Sequence, residues 1–426
     1  MTDSSNEKRP VRKLTVKNFS VIKEAELEFG KITVLIGPQA SGKSLLCKLA
    51  YFLGRVALEI AMDSVVKLSD FLEFKAAVRR EFLRWFPREG WGERNWSITF
   101  QSHQFVITLA EDATSELSSE VGLSFSDSFT GAYQNRLQET VDERNRKGFL
   151  LQPALHSKAA TAFMKVAGRG VWDAATYIPL ERSFFVDMQK GYRALAEDAD
   201  PISARFAVVF ADSLKRDVPH PRLPRFINGQ LTQQPDGPTV YFSDGRSLPM
   251  TLLSSGSKEL LPVLTVLDLY ESRRRSSGGD WLSQELNGEK LYILDELIVE
   301  EPEASVFPQT QDSLMREIVS LSNEPDFHPC FTITTHSPYI LSVFGDLVKA
   351  GKVGNQRADS HRAVQRVIPE QYWIKPEDFA AYKIENGKLA SIFDKASGQI
   401  DGDYLDNVSG KISDELGQLL EIQYGR

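Results

Sequence analysis

The run Gly37-Pro38-Gln39-Ala40-Ser41-Gly42-Lys43-Ser44 fits G-x-x-x-x-G-K-[ST]. Its residue types suit one task, the cradling of a phosphate chain. The glycines let backbone N–H groups curl around phosphate oxygens, and a helix opening at the end of the run would add the partial positive charge of its N-terminus. Lys43 would reach the β- and γ-phosphates, and Ser44 would ligate Mg2+. A second constellation is Leu291-Tyr292-Ile293-Leu294-Asp295-Glu296-Leu297-Ile298-Val299-Glu300-Glu301-Pro302-Glu303, an apolar stretch with two acidic pairs. At such a strand end one carboxylate can hold the metal shell while the next polarises an attacking water. Pro302 stops ladder pairing directly after Glu300-Glu301, which favours that pair, with Asp295-Glu296 as the alternative.

Two further segments carry chemistry. Phe331-Thr332-Ile333-Thr334-Thr335 is β-rich and runs into His336-Ser337-Pro338. Parallel sheets gather their functional loops at strand ends of this kind, and a histidine there can contact a γ-phosphate and report its presence. Leu252-Leu253-Ser254-Ser255-Gly256-Ser257-Lys258-Glu259 opens a helix whose apolar face is Leu260, Leu261, Leu264, Leu267 and Leu269, and Arg273-Arg274-Arg275 suit its C-terminal end. Ser254, Ser255 and Gly256 form either a second anion-binding turn or an ordinary helix cap. Since the chain has its own phosphate loop, a second anion site implies a pocket closed by a partner subunit.

Positioning these groups requires a sheet with helices. Ile32-Thr33-Val34-Leu35-Ile36 reads as a buried strand, and Leu45, Leu46, Leu49, Phe52 and Leu53 recur at helical spacing after the loop. Strand, glycine loop and helix therefore follow in the order that phosphate binding needs, and the chain is expected to bind ATP or GTP. Upstream, Leu14-Thr15-Val16-Lys17-Asn18-Phe19 and Ala25-Glu26-Leu27-Glu28-Phe29 read as two strands that precede the loop strand. The 426 residues, 42% hydrophobic and 25% charged, are ordinary for a globular chain and exclude wholesale disorder. Fifty basic against fifty-eight acidic side chains, a net −8, argue against a surface built wholly for nucleic acid. Two cysteines, Cys47 and Cys330, exclude a disulfide framework and fit a reducing compartment. No apolar run reaches the ~18–20 residues that span a bilayer, and Met1 to Arg12 is polar, so the expectation is a cytoplasmic protein without membrane contact.

Taken together, these residues resemble the ABC-type ATPases of the Rad50/SMC/RecF group, and most of all the stand-alone prokaryotic AAA ATPases of anti-phage defence and of overcoming-lysogenisation-defect (OLD-like) nuclease systems, such as the PARIS and Septu types. Gly37 to Ser44 looks like the Walker A motif, and Leu253-Ser254-Ser255-Gly256-Ser257 is similar to the LSGGQ signature. Val299-Glu300-Glu301-Pro302-Glu303-Ala304 resembles the Walker B and D-loop run, and Thr334-Thr335-His336-Ser337-Pro338 the switch-histidine loop. Tyr177-Ile178-Pro179-Leu180-Glu181-Arg182 is similar to a Y-I-P-x-E-R segment of such ATPases. The resemblance covers about Leu14 to Tyr339. It implies an α/β ABC-type core, a mixed sheet with N-terminal antiparallel strands flanked by helices. Two subunits would sandwich two ATPs, with Lys43 and Ser44 of one chain facing Ser254 and Gly256 of the other. ATP and Mg2+ are the implied ligands; Lys43, Glu300, Glu301 and His336 are the implied catalytic set, with Ser44 and Glu300 on the metal. Glu301 would be general base or water-orienting group and His336 the γ-phosphate sensor. Ser305 and Phe307 depart from the two usual histidines after E-P-E-A, and Glu300 stands where many such ATPases have aspartate. Hydrolysis is expected, and these departures bear on its rate.

The resemblance divides the chain into a flexible tail (1–12), an N-terminal core half (13–70), an inserted lobe (71–235), a C-terminal core half (236–345) and a completing segment (346–426). No a/d heptad persists in the insert, so a long coiled-coil arm is excluded. Strands such as Trp96-Ser97-Ile98-Thr99-Phe100 and Phe105-Val106-Ile107-Thr108-Leu109 indicate a compact helical/β lobe instead. Lys75, Arg79, Arg80, Arg84, Trp85, Arg88, Trp91, Arg94 and Trp96 interleave bases with aromatics, as a nucleic-acid grip would. An amphipathic helix with a solvated basic face is the favoured reading of the same residues. Glu120 to Lys147 is polar enough to be mobile, Asn407 to Tyr424 reads as a terminal amphipathic helix, and Asp401-Gly402-Asp403 makes no convincing nuclease cluster. The expected function is a homo-oligomeric ATPase that senses and controls a separate effector, a nuclease, in anti-phage defence. The alternative is a RecF-like DNA-binding ATPase of repair or recombination.

Overall fold

The computed structural model describes residues 11–92, 95–111, 121–147, 152–168, 175–188, 200–215, 217–276, 285–286, 289–290, 296–324 and 329–401. Asp295, Arg94, Gly402-Asp403, the segment 407–424 and residues 1–10 lie outside them.

Among the described residues, eleven strands form one mixed sheet: β1 (Arg12–Phe19), β2 (Ile22–Phe29), β3 (Ile32–Ile36), β4 (Ser97–Ser102), β5 (Phe105–Glu111), β6 (Val121–Phe125), β7 (Thr176–Ile178), β8 (Glu296–Glu300), β9 (Cys330–Thr335), β10 (Phe379–Glu385) and β11 (Lys388–Ser391). Their spatial order is β6-β5-β4-β1-β2-β11-β10-β3-β9-β8-β7. The block β10-β3-β9-β8-β7 is parallel, whereas β1, β2, β4, β5 and β6 pair antiparallel as a wing. The continuous apolar reading of β3 and β8 follows from this, since a parallel strand covered on both faces has no solvent side.

Alternate residues of the central strands feed two cores. Leu35 and Ile298 point into one, packed by α1 (Lys43–Tyr51), α2 (Ala57–Lys67), α3 (Phe71–Trp85), α4 (Asp127–Lys147) and α5 (Gln152–Ala167). Val34, Ile36, Leu297 and Val299 point into the other, beneath α6 (Pro201–Ser213), α7 (Ser255–Ser276), α8 (Pro308–Asn323) and α9 (Pro338–Gly354). The result is the α/β architecture expected, a large mixed sheet between helical layers. Strands of the stretch 71–235 join the same sheet: β4–β6 continue the wing beyond β1, and β7 closes the opposite edge.

Local chemistry accounts for the helix that carried the basic–aromatic pattern. Asp70 and Glu73 make a reciprocal capping box at the start of α3. Phe74, Val78, Phe82 and Trp85 then turn one face to the core. Trp85, Trp91 and Trp96 are all buried, and Phe19, Phe82, Phe86, Trp91 and Trp96 stack edge and face at 5.0–6.2 Å between ring centroids. These rings are core and cannot receive bases. Arg79 Nε donates to the carbonyl of Val121 at 2.8 Å, while Arg80, Arg84 and Arg88 stay exposed. Nor is the region after Glu120 loose: β6 and α4 occupy it, because Phe129 and Tyr133 bury one face of an otherwise polar helix. Arg136 is held there by Glu139 and Glu143 at 2.6 and 3.1 Å.

Arg12, which the sequence placed in the tail, begins β1. Its guanidinium forms a buried 2.7 Å ion pair with Glu296, whose other oxygen accepts from Thr332 Oγ1 at 3.0 Å. Glu296 sits opposite Cys330, at the end of β8 remote from the phosphate loop. Arg12→Ala strands that carboxylate and is expected to cost about 3–5 kcal/mol in chemical denaturation.

Candidate functional site

The register of the parallel block brings the chemistry to one edge. Glu300 lies beside Thr334 and Thr334 beside Leu35, so β8, β9 and β3 all end where Gly37 begins. Functional loops of a parallel sheet gather at this edge.

Between β3 and α1 the chain makes the phosphate loop. Gly42, the residue before α1, has φ +105°, and a Cβ there would come within 2.4 Å of Ile22 Cδ1. A Cβ on Gly37 would meet the carbonyl oxygen of Ile384 at 2.5 Å. Both positions therefore demand glycine, one for its left-handed backbone and the other for close approach. Pro38, Gln39 and Ala40 are exposed at the tip, and Ser44 is exposed on the first turn of α1. The Ser41 hydroxyl is buried and has no protein partner. Lys43 folds back over the loop, donating to the carbonyls of Gly37 (2.9 Å) and Pro38 (3.1 Å). Burial lowers its pKa, against the opposing pull of Glu301. An orphaned hydroxyl, a glycine cradle and a retracted ammonium together fit a phosphate chain.

Facing the loop is the acidic tip. Glu300 ends β8 with its side chain buried, its Oε1 accepting from Tyr177 Oη (2.6 Å) and its Oε2 from Leu180 N (3.1 Å). Burial first, then the Glu300 charge, push the Tyr177 phenol well up, so it remains a donor. Glu301 follows at φ +41°, its N–H bonded to the Thr334 carbonyl at 2.9 Å. This backbone turn aims Glu301 Oε1 to 2.9 Å from His336 Nε2, and that nitrogen also lies 3.0 Å from Lys43 Nζ. Lysine, histidine and glutamate from three separate segments thus meet at one point. Glu303 fixes the histidine loop, accepting from Thr335 Oγ1 and from His336 N, each at 2.7 Å.

Among the described residues no cluster of three or more His, Cys, Asp or Glu could cage a metal ion. The donor set present, the Ser44 hydroxyl with the Glu300 carboxylate, suits Mg2+ that takes its remaining ligands from phosphate and water. Cys47 beneath the loop is held as a thiol, since burial and then Glu300 raise its pKa well above the usual value. Of the two acidic pairs, the structure places Glu300-Glu301 at the loop and Glu296 at the far end of the strand.

Ser254, Ser255 and Gly256 open α7 with exposed serine side chains. Ser254 Oγ caps the turn at Ser257 (2.9 Å to its Oγ), and a Cβ on Gly256 would meet the Ser305 carbonyl at 2.8 Å. Within the chain their described contacts are with each other and the loop after Glu303, not with Gly37 to Ser44. Two supporting residues had no assigned role in the sequence reading: Glu303, and Arg182 within the Y-I-P-x-E-R segment. Only the clustering of acids after Val299 pointed toward the first.

Solved structures with a similar course include the SMC head domain from Thermotoga maritima (11% identity, TM-score 0.38, covering 90% of this chain and 98% of that one). An SMC head bound to the C-winged helix domain of ScpA gives 12%, 0.42, 90% and 97%. The recombination mediator protein RecF-ATPrS of the RecFOR pathway gives 11%, 0.36, 90% and 99%. No curated protein matches the sequence. No helix among the described residues is long and apolar enough to cross a membrane. The family AAA_21, described as "AAA domain, putative AbiEii toxin, Type IV TA system", matches residues 32–342, a span that holds the phosphate loop, the acidic tip and His336, and the chain belongs to it.

Proposed function

We propose that this chain is an ABC-type ATPase that binds ATP with Mg2+, hydrolyses it, and uses the bound state to control a separate effector in anti-phage defence. One observation carries the catalytic part: His336 Nε2 lies 3.0 Å from Lys43 Nζ and 2.9 Å from Glu301 Oε1, so three residues distant in sequence converge beside a phosphate loop. In this arrangement the Lys43 ammonium would turn from the Gly37 and Pro38 carbonyls to the β- and γ-phosphates. Ser44 and Glu300 would hold Mg2+, which neutralises phosphate charge when bound. Glu301 orients and polarises the attacking water, and His336, between Glu301 and Lys43, senses the γ-phosphate. Gly37, Pro38, Gln39, Ala40, Ser41 and Gly42 would form the loop around the phosphates, and all but Pro38 carry a backbone N–H donor.

A homo-oligomer is supported by large exposed side chains around this edge. Leu252, Phe307 and Tyr339, beside the signature turn, the acidic tip and the histidine loop, are 66, 70 and 58% exposed. Ser254, Ser255 and Gly256 are free of their own chain's phosphate loop, which is what a turn destined for a partner's nucleotide requires. Closure on ATP would then be a population shift, because ATP touches both halves only in the closed state. The role in defence rests on the resemblance to anti-phage ATPases, beside a family whose description names a "putative AbiEii toxin, Type IV TA system". A nuclease as effector rests on the resemblance alone.

The RecF-like reading keeps Arg80, Arg84 and Arg88 as exposed cations but loses the stacking aromatics, which are buried. It expects DNA to stimulate hydrolysis with steep salt dependence. The test is a tagged capture of Glu301→Gln with ATP from the native host. A stoichiometric second protein supports effector control; nucleic acid alone, lost in Arg80→Ala/Arg84→Ala, supports the clamp and sinks the effector reading.

A further inference from the structure

Arg182 is fully buried, and its guanidinium is spent on backbone rather than on substrate. Nη1 donates to the carbonyl of Glu300 at 2.6 Å and Nη2 to that of Glu301 at 2.9 Å. Nε donates to the carbonyl of Glu259 at 3.0 Å and lies 3.2 Å from Glu259 Oε2. Glu259 is the fifth residue of α7, directly after the turn that begins at Ser254. A second contact joins the same two places, because Gly256 sits so close to the Ser305 carbonyl that no side chain fits between them. The opening of α7 is therefore fastened at two points to the loop from Glu300 to Ser305.

The planar fork of arginine makes this possible. Its donors are fixed in one plane, so one side chain holds the carbonyls of two consecutive residues and a helix turn in a rigid relation. Glu301 is a non-glycine residue in the left-handed region, and its carbonyl is one of those held. A shift of the α7 turn thus re-aims the Glu301 carboxylate. We propose that Arg182 is a positioning residue that couples the Ser254–Gly256 turn to the catalytic carboxylate of Glu301, so that engagement of the turn sets hydrolytic competence. The proposal rests on the ATPase reading above and adds the internal link between its two halves. In a two-subunit sandwich the turn of one chain meets the nucleotide of the other, and the link carries that occupancy to the chain's own acids.

The test uses the full chain and two variants, Glu259→Gln, which keeps the shape of α7, and Arg182→Lys, which keeps the charge but not the fork. ATP affinity is read by calorimetry and turnover by phosphate release. Because Arg182 touches no residue of the phosphate loop, the expected result is an ATP Kd within about twofold of the wild type with kcat about 10- to 100-fold lower. A residue that serves stability alone would lower the melting temperature and leave that kcat-against-Kd split absent. Variants with wild-type kcat, or with Kd and kcat worsened together, overturn the proposal while an active wild type preserves the ATPase reading. A wild type that neither binds nor hydrolyses ATP overturns both.

Discussion

Lys43→Ala is expected to abolish ATP-dependent stabilisation and to lower kcat/KM by about 100- to 1000-fold, the range for loss of one preorganised charge at a reacting group. In the protein this ammonium is buried against two loop carbonyls and His336. Burial already disfavours its charge, so a phosphate chain would be a better partner than the carbonyls it now has. Alanine removes the charge, leaves the Gly37 and Pro38 carbonyls without their donor and frees His336 from one of its contacts. The measurement is the rise in melting temperature with ATP and Mg2+. A ligand at 100 times its Kd adds about 2.7 kcal/mol to the folded state, and the variant should show none of it. Loss of assembly would accompany loss of binding if ATP holds two subunits together.

Glu301→Gln should behave differently. Glutamine keeps the shape and can still hydrogen-bond His336, so the tip keeps its geometry and ATP still binds. What it lacks is the negative charge that polarises water. Turnover is expected to fall about 100- to 10,000-fold with an ATP Kd close to that of the wild type. Glu300 is not expected to stand in for it: Tyr177 and Leu180 N fix its carboxylate in place, where it would serve Mg2+ rather than the attacking water. Steady-state phosphate release beside equilibrium binding separates the two effects. Together the pair distinguishes a residue that binds from a residue that reacts.

The parts of this site that were legible in the sequence are those in which chemistry and local pattern coincide. The glycine loop follows an apolar run and precedes a helix within a dozen residues, and Pro302 marks the end of β8 directly after the acids. The parts that were not legible depend on contacts distant in sequence. Arg12 meets Glu296 across 284 positions, so neither a polar N-terminus nor an acidic strand start reveals the pair. β10 lies between β3 and the β2 side of the sheet although it follows by more than 300 residues, and periodicity reports faces, not neighbours. The tryptophans after Arg79 alternate with bases just as a nucleic-acid surface would; only packing of Trp85 against Phe52, and of Trp91 and Trp96 against Phe19 and Phe82, shows that they are core. For the same reason Arg182, with carbonyl partners at Glu259, Glu300 and Glu301, had no signature beyond its segment.

The most direct test of a shared site for the phosphate loop and the acidic tip is a single-turnover experiment. Wild-type protein and Glu301→Gln are mixed with substoichiometric ATP and Mg2+, quenched over time and resolved into ATP and ADP. The expected result is conversion to ADP on the wild type and intact, protein-bound ATP on the variant. Equal conversion by both would remove Glu301 from the reaction, and failure of both to retain ATP would contradict the nucleotide site itself.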